Sequence, residues 1–273
     1  MDAAEWLGLQ PTHNPHRWFL PVTEGIATGG RFLFGGCGLG AAVAAMEAAT
    51  DRPVVWATAQ YLSFAMVDEV VDLDVTVAVA GHRTTQARAV AKVGDREILT
   101  VNAALGHREL PNRGQWVDWP GVPGPDECPQ RPPRLHDDRS IMTRQDMRLA
   151  KGRQWDELEG NPVEDGRTAL WVRMPTSEAA SIDLSAATLA ILGDYVPFGI
   201  SQSQGMWLPS NSLDNTLRVI RLVPTEWALV DIRVEGLANG FGHGTVYIWS
   251  EDRTLLAAAS QSALVRERRP LSP

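Results

Sequence analysis

The sequence predicts an α+β protein that uses one plan twice: a central helix wrapped by a curved antiparallel sheet. Three observations predict it. A helix pattern that is apolar on nearly every side is followed by a run of alternating strand patterns. The same order returns roughly 130 residues later, a spacing that points to duplication and fusion rather than to a solenoid. A proline-rich stretch separates the two copies. At 273 residues, 44% of them apolar and 21% charged, the chain suits two units of roughly 110–130 residues and can bury a sizeable core.

The front unit is placed at residues 1–110. After Gly35-Gly36 the run CGLGAAVAAMEAAT puts Leu39, Val43 and Met46 at helical spacing. Alanine fills most remaining positions, so neighbouring strands can approach it from all round. Strand patterns follow. Leu73, Val75, Val77 and Val79 alternate with more polar residues, then Ala87, Ala89, Ala91 and Val93, then Leu99, Val101, Ala103 and Leu105. Gly81-His82 and Gly94-Asp95 mark the turns between them. The rear unit is placed at 165–273. Asp183 is the expected cap of a helix over LSAATLAILGD. Strands are expected around Leu217–Leu222, Ala228–Val234, Thr245–Trp249 and Leu255–Val265. Residues 111–164 are expected as a linker. Their first part holds Pro111, Pro120, Pro123, Pro125, Pro129, Pro132 and Pro133, and proline neither donates to a ladder nor sits inside a helix. The charged segment 136–164 is left open between loop and short helix.

Composition narrows the function. A net charge of −8 and a pI near 5.3 argue against a nucleic-acid-coating surface, which needs a basic stripe. They leave room for an anionic ligand in a locally basic pocket. Two distant cysteines, Cys37 and Cys128, offer neither a disulfide framework nor a metal set and fit a reducing compartment. The first residues lack the basic and apolar regions of a signal peptide. No apolar run approaches the ~20 residues that cross a bilayer. A cytoplasmic location without membrane insertion is the expectation.

Further motifs run in order along the chain: RFLFGGCGLGAAVAAM, TAQYLSFAMVDEVVDLDVTVAVAGHRTTQARAVA, LAILGDYVPF, NSLDNTLRV, EWALVDI and GFGHGTVYIWSEDRTLLAAASQSALVR. In that order and spacing they resemble the acyl-CoA thioesterase II family, the double-hotdog thioesterases. The resemblance implies a double hotdog fold, an acyl-CoA substrate, a role in fatty acid metabolism, and no metal or organic cofactor. It implies a catalytic trio in the second hotdog: an Asp at the helix end, a Ser or Thr in the next strand, and a Gln in the last strand. By motif position these are Asp194, Ser212 and Gln261. Three positions depart from the family pattern. Asn215 stands where a His is common, Phe241 where an Arg is usual in a Gly-Arg-Gly run, and Cys37 where a Gln is frequent. The trio itself is intact, so the departures bear on acyl preference and on holding the CoA phosphates.

The trio suits thioester hydrolysis. Asp194 can take a proton from water or orient it. Gln261 offers an amide oxygen to the water and its NH₂ to the carboxylate, and Ser212 holds the water from a second direction. Thiolate leaves readily, so no covalent nucleophile is needed. Gly35 and Gly36 are the expected oxyanion donors, since a helix start presents orphan N–H groups and glycine admits a close carbonyl.

Each residue also has a plain structural reading. Asp194 is otherwise a solvated turn residue, at a helix end whose dipole disfavours it. Ser212 is otherwise a turn or cap, and Gln261 an outward strand residue, although an amide inside an apolar run must find partners. Cys37 is read as a small core residue rather than a nucleophile, and His13 and His16 as surface residues. His243 is read as structural. Arg83 and Arg88 are candidates for CoA phosphates, against charged strand edges. Trp171, Trp207, Trp227 and Trp249 are candidate walls of an acyl tunnel, against core or interface. Sheet edges suggest a homo-oligomer. The leading reading is an acyl-CoA thioester hydrolase. Its rivals are a non-catalytic acyl-CoA or acyl-carrier binding protein on the same scaffold and a hotdog enoyl-CoA hydratase.

Overall fold

A computed structural model describes residues 1–111, 114–132, 139–177 and 180–267. Pro133 and residues 136–138, part of the expected linker, lie outside the described residues. The front elements are α1 (Ala3–Leu7), β1 (Gln10–Pro11), β2 (Arg17–Pro21), α2 (Gly35–Thr50), β3 (Val54–Tyr61), β4 (Val70–Ala80), β5 (Thr85–Val93) and β6 (Arg96–Leu105). Then come β7 (Asp146–Lys151), β8 (Arg167–Arg173), β9 (Pro175–Ser177), β10 (Ala180–Ser181), α3 (Ala186–Leu192), α4 (Val196–Ser203), β11 (Ser210–Ser212), β12 (Asp214–Val219), β13 (Ala228–Ala238), β14 (Phe241–Ser250) and β15 (Leu255–Val265).

The main strands join in one antiparallel sheet, in the order β1-β2-β4-β5-β6-β3-β12-β15-β14-β13-β8-β7, with β11 paired to β15. The order exposes the duplication. A first strand, a helix, a second strand and a three-strand meander give β2·β4·β5·β6·β3 in front and β8·β13·β14·β15·β12 behind. This is the double hotdog fold. The two second strands, β3 and β12, pair with each other from Gln60–Asp214 to Trp56–Arg218 and fuse the halves into one sheet. Thr58 and Thr216 share a 2.7 Å hydroxyl hydrogen bond across that seam.

Helix α2 is buried along most of its length, as its composition predicts, but a helix as well as strands covers it. A methyl group at Gly36 would lie 2.8 Å from the Ile191 carbonyl, and one at Gly40 2.9 Å from that of Ala187. Two glycines four residues apart share a helix face, and here they let α3 press against α2. Ser185, not Asp183, caps α3: its hydroxyl accepts from the Thr188 N–H at 3.2 Å. The rear helix then breaks at Gly193-Asp194-Tyr195 and restarts as α4, with Pro197 in its first turn, where a missing N–H costs nothing.

The stretch expected as a linker is built into the rear half. Asp146–Lys151 adds strand β7 to the edge of β8. Trp119, Val117, Val122 and Cys128 pack on Trp171, Trp227, Trp249, Ala169 and Leu229, a second core on the outer face of the sheet. The Trp171 indole donates to the Pro123 carbonyl at 2.8 Å. The tunnel-wall expectation for Trp171, Trp227 and Trp249 is therefore corrected. Along β8, Leu170 and Val172 face the helices, so Trp171 between them points outward. Proline bars this strap from ladders and helices, not from packing.

Candidate active site

Asp194 lies in the break between α3 and α4 and is buried, 4% exposed. Its backbone leaves the C-terminal end of α3, but its carboxylate reaches the N-terminus of α2 in the other half. There Oδ2 accepts the Gly36 N–H at 2.6 Å. Phe34 caps α2 without a side-chain bond, so the first-turn amides are free to take this acceptor. The positive end of α2 favours the charge that the end of α3 disfavours. Glycine is also required sterically. A methyl at Gly35 would lie 2.7 Å from Asp194 Oδ2 and 3.1 Å from the Tyr61 hydroxyl oxygen.

Gln261 and Ser212 meet the other carboxylate oxygen. The Gln261 NH₂ donates to Asp194 Oδ1 and, at 2.6 Å, to Ser212 Oγ. The Ser212 hydroxyl donates to Asp194 Oδ1 at 3.2 Å. The structure thus brings the three sequence-predicted residues into one hydrogen-bonded cluster. Register explains it. Gln261 opposes Gly244 on β14 and points to the helix side, and Ser212 opposes Ala263 on the same strand. Two expectations are corrected. The Gln261 amide oxygen does not face the water side but accepts the Val196 N–H at 3.2 Å, because the start of α4 presents an orphan donor. Gly36, expected as an oxyanion donor, gives its N–H to Asp194.

Burial pushes the Asp194 carboxyl up from 3.8 to about 7, against the pull of the hydrogen bonds from Gly36, Gln261 and Ser212. A carboxyl poised near neutrality is suited to accept a proton during a reaction and release it afterwards. Tyr195 is buried beside it, its hydroxyl donating to Gln145 from the expected linker and its ring edge-on to Phe34 at 6.2 Å. The Tyr195 phenol is pushed up by burial. Sequence reasoning missed Tyr195, Gln145 and Tyr61. Only a packing picture places a strand-end tyrosine of the front half against a loop of the rear.

Residues 125–265 match the family model described as acyl-CoA thioesterase C-terminal domain. A crystal structure from Novosphingobium aromaticivorans DSM 12444, provisionally designated a thioesterase, is 32% identical with a TM-score of 0.83, over 95% of this chain and 98% of that one. The chain belongs to the acyl-CoA thioesterase II family. Two more distant structures share its fold. One is a protein of Thermobifida fusca YX provisionally designated a thioesterase II (16% identity, TM-score 0.82, 97% of each chain). The other is an acyl-CoA thioesterase II of Mycobacterium marinum (19% identity, TM-score 0.70, 100% of each chain). No curated protein matches the sequence.

Several other candidates of this acyl-CoA thioesterase II family member lie away from the trio. Arg83 sits at the turn beyond Thr85, which pairs with Leu105, whereas the Tyr61 end of the sheet pairs with Leu99. Six residues of strand put about 20 Å between them. His243 and its partner Ser262, 3.1 Å away, alternate with inward-facing Gly244 and Gln261 and so occupy the outer face. Gly242 and Gly244 serve α4 instead: methyl groups there would meet Ile200 at 2.5 Å and Val196 at 2.9 Å. Cys37 is fully buried, and desolvation raises its thiol well above the usual range despite nearby Arg144. That is a core cysteine, not a nucleophile.

Proposed function

We propose that the protein hydrolyses acyl-CoA thioesters to a carboxylic acid and free CoA, with water as the nucleophile. The single observation that carries this reading is the Asp194–Ser212–Gln261 cluster around a buried carboxyl with a neutral-range pKa. In this scheme ionised Asp194 takes a proton from a water as the water oxygen bonds to the thioester carbon. The tetrahedral intermediate collapses, the C–S bond breaks, and the proton held by Asp194 passes to the departing sulfur. Gln261 and Ser212 fix the carboxylate through Oδ1, and Oδ2, which also accepts the Gly36 N–H, turns its remaining lone pair to the water. The Val196 N–H locks the Gln261 amide so that its NH₂ and not its oxygen meets the acid. Acyl-CoA is the proposed substrate; a water nucleophile needs no organic cofactor.

The test is a panel of acyl-CoAs assayed with a thiol-reactive chromogen. The expected result is thiol release that falls by 10²–10⁴-fold in Asp194→Asn, the range of a lost general base. Tight acyl-CoA binding without release would replace the hydrolase with a binding protein. Enoyl-CoA consumption without thiol release would replace it with a hydratase.

A further inference from the structure

Hydrolysis at this site needs a donor for the developing oxyanion, and the Gly36 N–H is committed to Asp194. The Tyr61 hydroxyl stands beside Gly35, where a side chain would meet both it and Asp194 Oδ2. It is buried, and among the described residues it has no hydrogen-bond partner. Asn215 lies next to it, fully buried, with its amide oxygen and nitrogen both unpartnered in the same sense. Asn215 lies near enough to act on the phenol as a side-chain hydrogen-bond partner, which draws its pKa down against the effect of burial, but the geometry falls short of a closed hydrogen bond. Register brings them together across the seam. The Tyr61 N–H donates to the Leu213 carbonyl at 3.0 Å, and Asn215 opposes Ala59, two residues before Tyr61 on the same face. Three buried polar atoms without a closed hydrogen bond, in a seam between two apolar units, are costly, which is the expected mark of a binding function that a ligand completes. Gly35, Phe34, Ser212 and the Tyr61 residue itself are partly exposed and mark the open side of this group.

We propose that the Tyr61 hydroxyl donates to the thioester oxygen and to the oxyanion formed from it, and that Asn215 positions the phenol. This inference rests on the hydrolytic reading for its chemistry and adds a front-half catalytic residue to a rear-half trio. The thioester carbonyl approaches from the open side past Gly35, where any larger residue would crowd both Asp194 and Tyr61, with the attacking water toward Asp194 Oδ2 and the carbonyl oxygen toward Tyr61. The Asn215 amide, beside the phenol but short of a closed hydrogen bond to it, keeps the hydroxyl turned toward the incoming carbonyl. Burial raises the Tyr61 phenol well above the usual range, so the donor stays protonated through the working pH.

The experiment compares wild type with Tyr61→Phe, which keeps the ring, on the best substrate of the panel. Loss of one oxyanion donor predicts a kcat about 10²–10³ lower, with a melting temperature no lower than that of wild type and little change in KM. Binding supplies a readout independent of turnover. A hexanoyl ketone analogue of acyl-CoA, with CH₂ in place of sulfur, keeps the carbonyl; S-hexyl-CoA lacks it. Tyr61→Phe should weaken the ketone roughly tenfold and leave the thioether unchanged. Equal effects on both ligands, or none on either, overturn the proposal. In the Tyr61→Phe background, Asn215→Leu should cause no further loss of kcat, as expected of residues acting as one unit. Additive losses would overturn the positioning role, and Asn215→Leu alone supplies the same ligand comparison should Tyr61→Phe not fold. The two readings fail separately. Full activity in Tyr61→Phe ends this inference and spares the hydrolase, whereas Tyr61-dependent ketone binding with no thiol release from any acyl-CoA ends the hydrolase alone.

Discussion

At the scale of the residue, Asp194 ties rate and stability to the same proton. Its folded pKa of about 7 lies above the ordinary 3.8, so the unfolded chain ionises first as pH rises. From about pH 4 upward folding is progressively penalised, and the penalty saturates once the folded carboxyl ionises, above pH 7. A shift of about three units corresponds to about 4 kcal/mol. The titratable neighbours Tyr61, Tyr195 and Cys37 are all held protonated by burial and do not titrate in this window. Asp194→Asn should therefore gain about 4 kcal/mol relative to wild type between pH 4 and pH 8, whatever its offset at pH 4. Urea titrations of both proteins across that range measure this, and parallel pH curves would contradict it. The rate runs the other way. In the proposed hydrolysis the base works ionised, so kcat/KM should rise tenfold per pH unit below about 7 and level off above it. Gln261→Leu should cost both properties, because it strands the Val196 N–H and removes a donor from a buried carboxylate, a loss of about 1–3 kcal/mol in melts with strongly reduced turnover.

At the scale of the element, the glycines of α2 decide whether the cluster assembles. Alanine is the better helix former by up to about 1 kcal/mol. Gly36→Ala and Gly40→Ala should nonetheless destabilise by about 1–3 kcal/mol, because their methyl groups meet the backbone of α3. Gly36→Ala should also lower turnover per folded molecule, since moving α3 moves Asp194. Thermal melts and active-site-normalised rates separate the two effects; a stabilised, fully active Gly36→Ala would refute this account of the helix contact. The helix itself was legible in the sequence because apolar residues surround it. Which glycines serve α3 was not, because helical spacing does not say what covers a face. The same limit explains the tryptophans. Alternation along β8 shows that Trp171 lies opposite Leu170, not which side holds the helices. The proline-rich strap was read as linker because proline lacks a ladder donor, whereas its attachment depends on side chains such as Trp119, edge-on to Trp249 at 5.5 Å. Trp119→Ala should lower stability by about 0.5–3 kcal/mol and expose the strap to limited proteolysis, with kcat unaffected because the strap lies on the outer face.

At the scale of the whole molecule, the duplication was legible and its consequence was not. Motif order revealed two units, and motif position named Asp194, Ser212 and Gln261, all three from the rear unit. What finishes their environment comes from the front: the Gly36 N–H, Gly35, whose lack of a side chain lets Asp194 and Tyr61 approach, and Tyr61 itself. Sequence spacing cannot show that, since the hydrogen bond from Gly36 to Asp194 spans 158 residues. The dependence is mechanical as well as chemical. β3 and β12 form one continuous ladder, and α2 packs on α3 through glycine contacts too close to loosen gradually. An isolated rear half would expose the edge of β12 and leave the Asp194 carboxylate without its helix terminus. The halves should therefore unfold as one unit despite their repeated architecture. Urea denaturation followed by tryptophan fluorescence, far-ultraviolet circular dichroism and residual thioesterase activity should give coincident midpoints. Activity lost well before the fluorescence change would mean that the front half melts away from a standing rear half, and a site shared across the seam would be untenable.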